Sequence, residues 1–181
     1  MTAISTLDLC CHADPRRVRV AGQAYTICRA QPADLAAIKA LFGKLHAFNT
    51  ALDSRFALSE EWETHFDAAI REALSGDDAL CLIAREVGSG RPCGFALAAV
   101  HRDSGMWRYR EWVEVEALYV EDAWRGQGLA EALLAHVCGW ADGMGQLAVQ
   151  LYVTASNERA IHFYQHEGFR ETQAIMRKLL A

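Results

Sequence analysis

The chain predicts an α/β (α+β) fold, one domain built on a sheet with flanking helices in the order β-α-α-β-β-β-α-β-α-β. Three observations carry that expectation. Val113, Val115, Ala117 and Tyr119 alternate with Glu114, Glu116, Leu118 and Val120, the period of two that marks a strand. After a glycine-containing turn, Ala130, Leu133, Leu134, Val137 and Ala141 recur at helical spacing. Gly88-Ser89-Gly90-Arg91-Pro92 separates two apolar runs in the manner of a hairpin.

The elements follow in order along the chain. Residues 1–23 read as an N-terminal extension with basic Arg16, Arg17 and Arg19, either an extra strand through Val18 and Val20 or a loose tail, ahead of a domain spanning 24–181. Residues 24–30 alternate as a strand, and Pro32-Ala33-Asp34-Leu35 opens a helix to about residue 48. Ser59 offers an N-cap for a second helix ending near Gly76. Strands over 79–86 and 93–101 flank the hairpin turn, and Leu147, Val149, Leu151 and Val153 mark a strand after the long helix. A short helix and a last strand over 174–180 complete the chain, with no internal repeat, linker or low-complexity tract.

Composition narrows the class. A length of 181 residues with 52% hydrophobic content suits a single buried core. The absence of a long apolar run or an apolar region after a basic start predicts a soluble cytoplasmic protein with no membrane span. A net charge of −5 disfavours a general nucleic-acid surface and is compatible with a cationic amine substrate. The six cysteines form no Cys-x-x-Cys pair, and Cys10-Cys11-His12 is too few ligands for a metal, so reduced thiols and no metal are expected.

The turn after Val120 carries the chemistry. A strand-to-helix turn leaves the first helical N–H groups without intrahelical partners at the positive end of the helix dipole. Gly126 and Gly128, without side chains, let a phosphate approach those donors. Glu131 stands where a dinucleotide fingerprint needs its third glycine, and no Gly-Lys-Ser/Thr follows, so neither familiar nucleotide motif fits.

Arg125-Gly126-Gln127-Gly128-Leu129-Ala130 matches Arg/Gln-x-x-Gly-x-Gly/Ala, the acetyl-CoA pyrophosphate loop of the GCN5-related N-acetyltransferase (GNAT) superfamily. The run from Asn157 through Ala160, Phe163 and Tyr164 to Gly168-Phe169 resembles the second signature of that family. The resemblance is close over residues 112–171 and extends by element order from about residue 24. It implies the GNAT fold, with a mixed, mostly antiparallel central sheet, and acetyl-CoA as cofactor. Backbone groups around Leu118, Tyr119 and Val120 would then pair with the pantetheine arm, while Arg125, Gly126, Gln127, Gly128, Leu129 and Ala130 hold the pyrophosphate. Asn157 would face the pantetheine or pyrophosphate side, or serve only as a helix cap.

Acetyl transfer to an amine needs a neutral amine, a stabilised oxyanion and a proton for the thiolate. On the resemblance Glu116 is the expected base, with Glu114 in reserve; both also suit exposed strand carboxylates. Tyr164 is the expected acid, or else a core aromatic beside Phe163. Phe48, Asp53, Arg55 and Glu114 are candidate acceptor contacts, although Asp53 and Arg55 equally suit a mutual ion pair, and His46 a packed helix position. Trp107, Tyr109 and Trp112 suit either the acceptor pocket or a homodimer interface. The expected activity is acetyl-CoA-dependent N-acetylation of a small-molecule or peptide amine by direct attack; the alternatives are a non-catalytic acyl-CoA-binding module and an acyltransferase using another acyl-CoA.

Overall fold

The computed structural model describes residues 18–20 and 23–178, with side chains from residue 25 onward. Cys10-Cys11-His12, Arg16, Arg17 and the end of the expected last strand lie outside the described residues. Among the described residues six strands form one sheet in sequence order: β1 (Val18–Val20), β2 (Gln23–Arg29), β3 (Ala79–Glu86), β4 (Pro92–Arg102), β5 (Glu111–Val120) and β6 (Val149–Leu151). All neighbours are antiparallel except β5 and β6. That parallel pair needs a crossover, which the 15-residue α3 (Leu129–Gly143) provides. The result is the mixed, mostly antiparallel sheet expected.

Helices cover both faces. On one side α1 (Leu35–Leu52) and α2 (Trp62–Ser75) pack Ile38, Leu41, Phe66 and Ile70 against Cys81, Ile83, Phe95 and Leu97. On the other, α3 buries Leu129, Leu133, Leu134, Val137 and Ala141 against Leu80, Leu82, Ala96 and Ala98. Each buried leucine in that stripe contributes about 1.5–3 kcal/mol of apolar burial. α4 (Glu158–His166) adds Phe163 and Tyr164 to the margin of the same cluster.

Three expectations are corrected. Ser59 is not the N-cap of α2: the cap is Glu61, and Ser59 instead receives the Trp62 N–H on its backbone carbonyl at 3.2 Å. The turn before α2 thus satisfies that amide through the main chain. The helix from Pro32 begins as a 3-10 turn at Pro32–Asp34 and α1 then runs past residue 48 to Leu52. The strand expected over 174–180 is absent from its described part, since residues 171–178 carry no helix or strand. Ile175 and Met176 there are 75% and 95% exposed, and the neighbouring β6 is only three residues long, so apolar alternation meets no ladder to join.

Period two also fails within β5. Ala98 on β4 pairs with Val115 and Leu97 with Ala117, leaving Glu116 as the unpaired residue of a bulge. The slip reverses the facing of the rest of the strand: Val113 and Val115 join the α3 cluster, whereas Ala117 and Tyr119 join the α1/α2 cluster.

Candidate active site

The parallel ladder between β5 and β6 covers only Val113↔Val149 to Val115↔Leu151. Beyond it, among the described residues, the edge of β5 from Glu116 to Val120 has no strand on that side. A cleft of about 270 Å³ is lined there by Leu118, Tyr119 and Val120, by Arg125, Gly126 and Ala130 of the turn, and by Asn157, Ala160 and Tyr164 of the α4 region. Phe48 and Asn49 of α1 supply a further wall.

The turn is held from below. Trp124, buried at the end of a 3-10 turn over Asp122–Trp124, meets the Tyr25 ring edge-on at 5.9 Å. Gly126 and Gly128 then adopt φ of 70° and 80°, left-handed conformations that favour glycine. Gln127 spends its side chain on the turn itself, its Nε2 donating to the Ala123 carbonyl at 2.6 Å. Among the described residues the N–H groups of Gly126, Gln127 and Gly128 meet no acceptor, and the first amides of α3 follow directly. This is a cluster of backbone donors at a helix dipole's positive end, suited to an anion.

Arg125 does not project freely. Its Nε donates to the Val120 carbonyl at 3.0 Å and its Nη1 lies 2.6 Å from Asp122. The guanidinium sits over the rings of Tyr119 and Phe48, 5.6 and 5.8 Å from their centroids. Lys44 of α1 reaches the Glu121 carboxylate at 2.5 Å, tying this helix to the end of β5. Asn157 accepts the Ala160 N–H at 3.2 Å on its side-chain oxygen, so it caps α4 while lining the cleft.

Tyr164 is packed between Phe163 and Phe169, with ring centroids 5.1 and 5.7 Å away. Burial pushes its phenol up to about 12. Glu116 is solvent-exposed along much of its side chain, yet partial desolvation, and then the neighbouring Glu114 charge, raise its carboxyl above the ordinary value. Neither Glu114 nor Glu116 is part of the cleft lining; the bulge sets Glu116 two residues before Leu118, which is. Asp53 and Arg55 are paired with each other, the Arg55 guanidinium on both carboxylate oxygens, and this contact holds Asp53 down at about 2. Both lie outside the lining. His46 stacks on Phe42 at 4.3 Å, and desolvation lowers its pKa. Trp107 and Tyr109 stand out from the surface at 59% and 75% exposure, while Trp112 stacks on His101.

Of the candidate cofactor residues, Gln127, Gly128 and Leu129 belong to the turn without lining the cleft, Leu129 being wholly core. The lining also includes Leu45, Trp124, Glu131, Arg159 and Phe163, none of which sequence reasoning singled out as site residues. For Phe163 the signal was present in the second signature. For Arg159 it was the position two residues after the Asn157 cap; Glu131 was noted only as a missing glycine.

A model of the acetyltransferase (GNAT) family matches residues 45–169. An uncharacterized N-acetyltransferase of Methanocaldococcus jannaschii is 31% identical over 87 residues, 48% of this chain and 38% of that protein. The mycothiol acetyltransferase of Propionibacterium freudenreichii subsp. shermanii is 31% identical over 120 residues, 66% of this chain and 33% of its own length. The chain thus spans only about a third of these relatives. Among solved structures, a tetramutant of a Bacillus halodurans protein superposes with a TM-score of 0.74 at 19% identity, covering 85% of this chain and 99% of that one. An aminoglycoside N-acetyltransferase in complex with CoA superposes at 0.68 and 21% identity, covering 90% and 99%. At those identities the likeness is one of fold. With the family model spanning both signatures and the cleft between them, the chain belongs to the acetyltransferase (GNAT) family.

Proposed function

We propose that the protein is an acetyl-CoA-dependent N-acetyltransferase acting on a primary amine of a small molecule or peptide by direct attack. The observation that carries this is one cleft lined both by Gly126, at the head of the glycine turn with its unpaired amides, and by Tyr164. A protein of the same fold was solved with CoA, and both sequence relatives bear acetyltransferase names.

The residues fit the donor. The amides of residues 126–128 suit a pyrophosphate, and the unpaired β5 edge at Leu118–Val120 suits the amides of a pantetheine arm. Bound acetyl-CoA supplies an activated thioester. Glu116 accepts a proton from the acceptor ammonium, directly or through water, a step needed because an alkylamine's pKa near ~10 keeps it protonated at neutral pH. The raised pKa of Glu116 makes it a stronger base than an ordinary carboxylate. Tyr164, protonated throughout the neutral range, donates a hydrogen bond to the departing sulfur. Phe48 and Glu114 border the acceptor, and Asp53 and Arg55 join it only by giving up their mutual pair. Cys81, Cys93 and Cys138, which form no disulfide among the described residues, accord with a reducing, cytoplasmic setting, and exposed Trp107 and Tyr109 with a homodimer face.

Thiol release from acetyl-CoA over a panel of amines, paired with thermal stabilisation by CoA, tests the proposal. Turnover with at least one amine is expected. Stabilisation without thiol release from any of them points to the acyl-CoA-binding module, and turnover only with a longer acyl chain to the other acyltransferase.

A further inference from the structure

Two guanidinium groups and one carboxylate line the cleft: Arg125, Arg159 and Glu131. Arg125 is committed. Asp122 neutralises it at 2.6 Å, the Val120 carbonyl takes its Nε, and Tyr119 and Phe48 carry its flat face. Glu131, in the first turn of α3, adds negative charge beside the backbone donors. An anion entering here therefore meets an acid and an already paired base.

Arg159 differs. It stands in the first turn of α4, and among the described residues it makes no hydrogen bond, ion pair or ring contact. Its neighbour Asn157 uses its oxygen on the Ala160 amide, so the cap does not hold the guanidinium. We infer that Arg159, and not Arg125, is the side-chain cation that binds a phosphate of the donor, an assignment that rests on the CoA reading above. A free guanidinium presents paired N–H donors that match phosphate oxygens. Arg125 is a positioning residue that braces the wall formed by Tyr119 and Phe48.

Calorimetric titration of wild type, Arg159→Gln and Arg125→Gln with CoA, dephospho-CoA and pantetheine tests the assignment. Arg159→Gln should weaken CoA about tenfold, leave phosphate-free pantetheine unchanged, and make CoA binding less sensitive to salt. Equal loss for CoA and dephospho-CoA assigns the contact to the pyrophosphate, and loss for CoA alone to the 3′-phosphate; both support it. Arg125→Gln should weaken all three ligands by a similar factor. Wild-type CoA affinity in Arg159→Gln, or pantetheine weakened equally, overturns the assignment. A wild-type protein that binds no CoA overturns the donor reading and this assignment with it. Arg159 is exposed and without contacts, so an unchanged melting temperature in Arg159→Gln is expected to accompany the affinity loss.

Discussion

Val115 and Ala117 stand two residues apart in β5 yet pack on opposite faces of the sheet, because Glu116 between them pairs with nothing on β4. Glu114 keeps the regular register, whereas Glu116 occupies its break. The two acids, equivalent by alternation, are therefore distinct in the fold.

That distinction predicts a pH signature. A base works ionised, so the rate should climb as pH rises through the raised Glu116 pKa and level off above it. Glu116→Gln should abolish that acid-side limb. Glu114→Gln should shift it to lower pH, because the Glu114 charge is one cause of the raised value. Profiles of kcat/KM against pH that match wild type in both variants would remove Glu116 from the mechanism.

Tyr164→Phe separates proton from ring. The ring packs on Phe163 and Phe169, so the phenylalanine variant should unfold within about 0.5 kcal/mol of wild type. Its kcat should fall on the order of 10²-fold with CoA affinity retained. Undiminished turnover would return Tyr164 to a packing role.

Two glycines should fail for different reasons. A Cβ on Gly94 would lie 2.9 Å from the Tyr119 carbonyl oxygen, a backbone atom of the paired strand that cannot swing aside, and Gly94→Ala should cost about 1–3 kcal/mol in denaturant unfolding. It should also weaken CoA, since Tyr119 lines the cleft. A Cβ on Gly126 meets nothing within 4 Å, so Gly126→Ala should cost only the conformational penalty of φ +70°, about 1–2 kcal/mol. Wild-type stability in Gly94→Ala would contradict the close approach there.

The Asp53–Arg55 pair predicts an acid dependence of stability. Asp53 is held down to about 2, so its contribution is fully present above the ordinary carboxylate range and is lost as pH falls toward that value. Melting curves of Asp53→Asn should lie below wild type near neutrality and converge with it toward about pH 2. The gap should be small, because the pair faces water. A gap that persists unchanged in acid would assign the effect to something other than the charge.

Much of the site was legible locally. Gly126 and Gly128 announced a strand-to-helix turn open to close approach, and Asn157 a start of α4, because both signals act within a few residues of themselves. The bulge at Glu116 was not legible, since a register slip depends on what β4 presents opposite, and alternation in β5 alone reads straight through it. The pairing of Arg125 was not legible either: its partners Val120 and Asp122 are near in sequence, but Phe48 comes from α1.

The sequence by itself determined the element order from β2 to α4 and the glycine turn, which rest on periodicity and short-range backbone chemistry, and it carries the two motifs that resemble the family's signatures. Tertiary structure alone decided that β5 and β6 part after Val115↔Leu151, that the turn, α1 and α4 converge on one cleft there, and that Arg159 enters it unpaired while Asp53 and Arg55 turn to each other. Those outcomes belong to contacts between residues distant along the chain. Their energies depend on packing and charge pairing that no local pattern encodes.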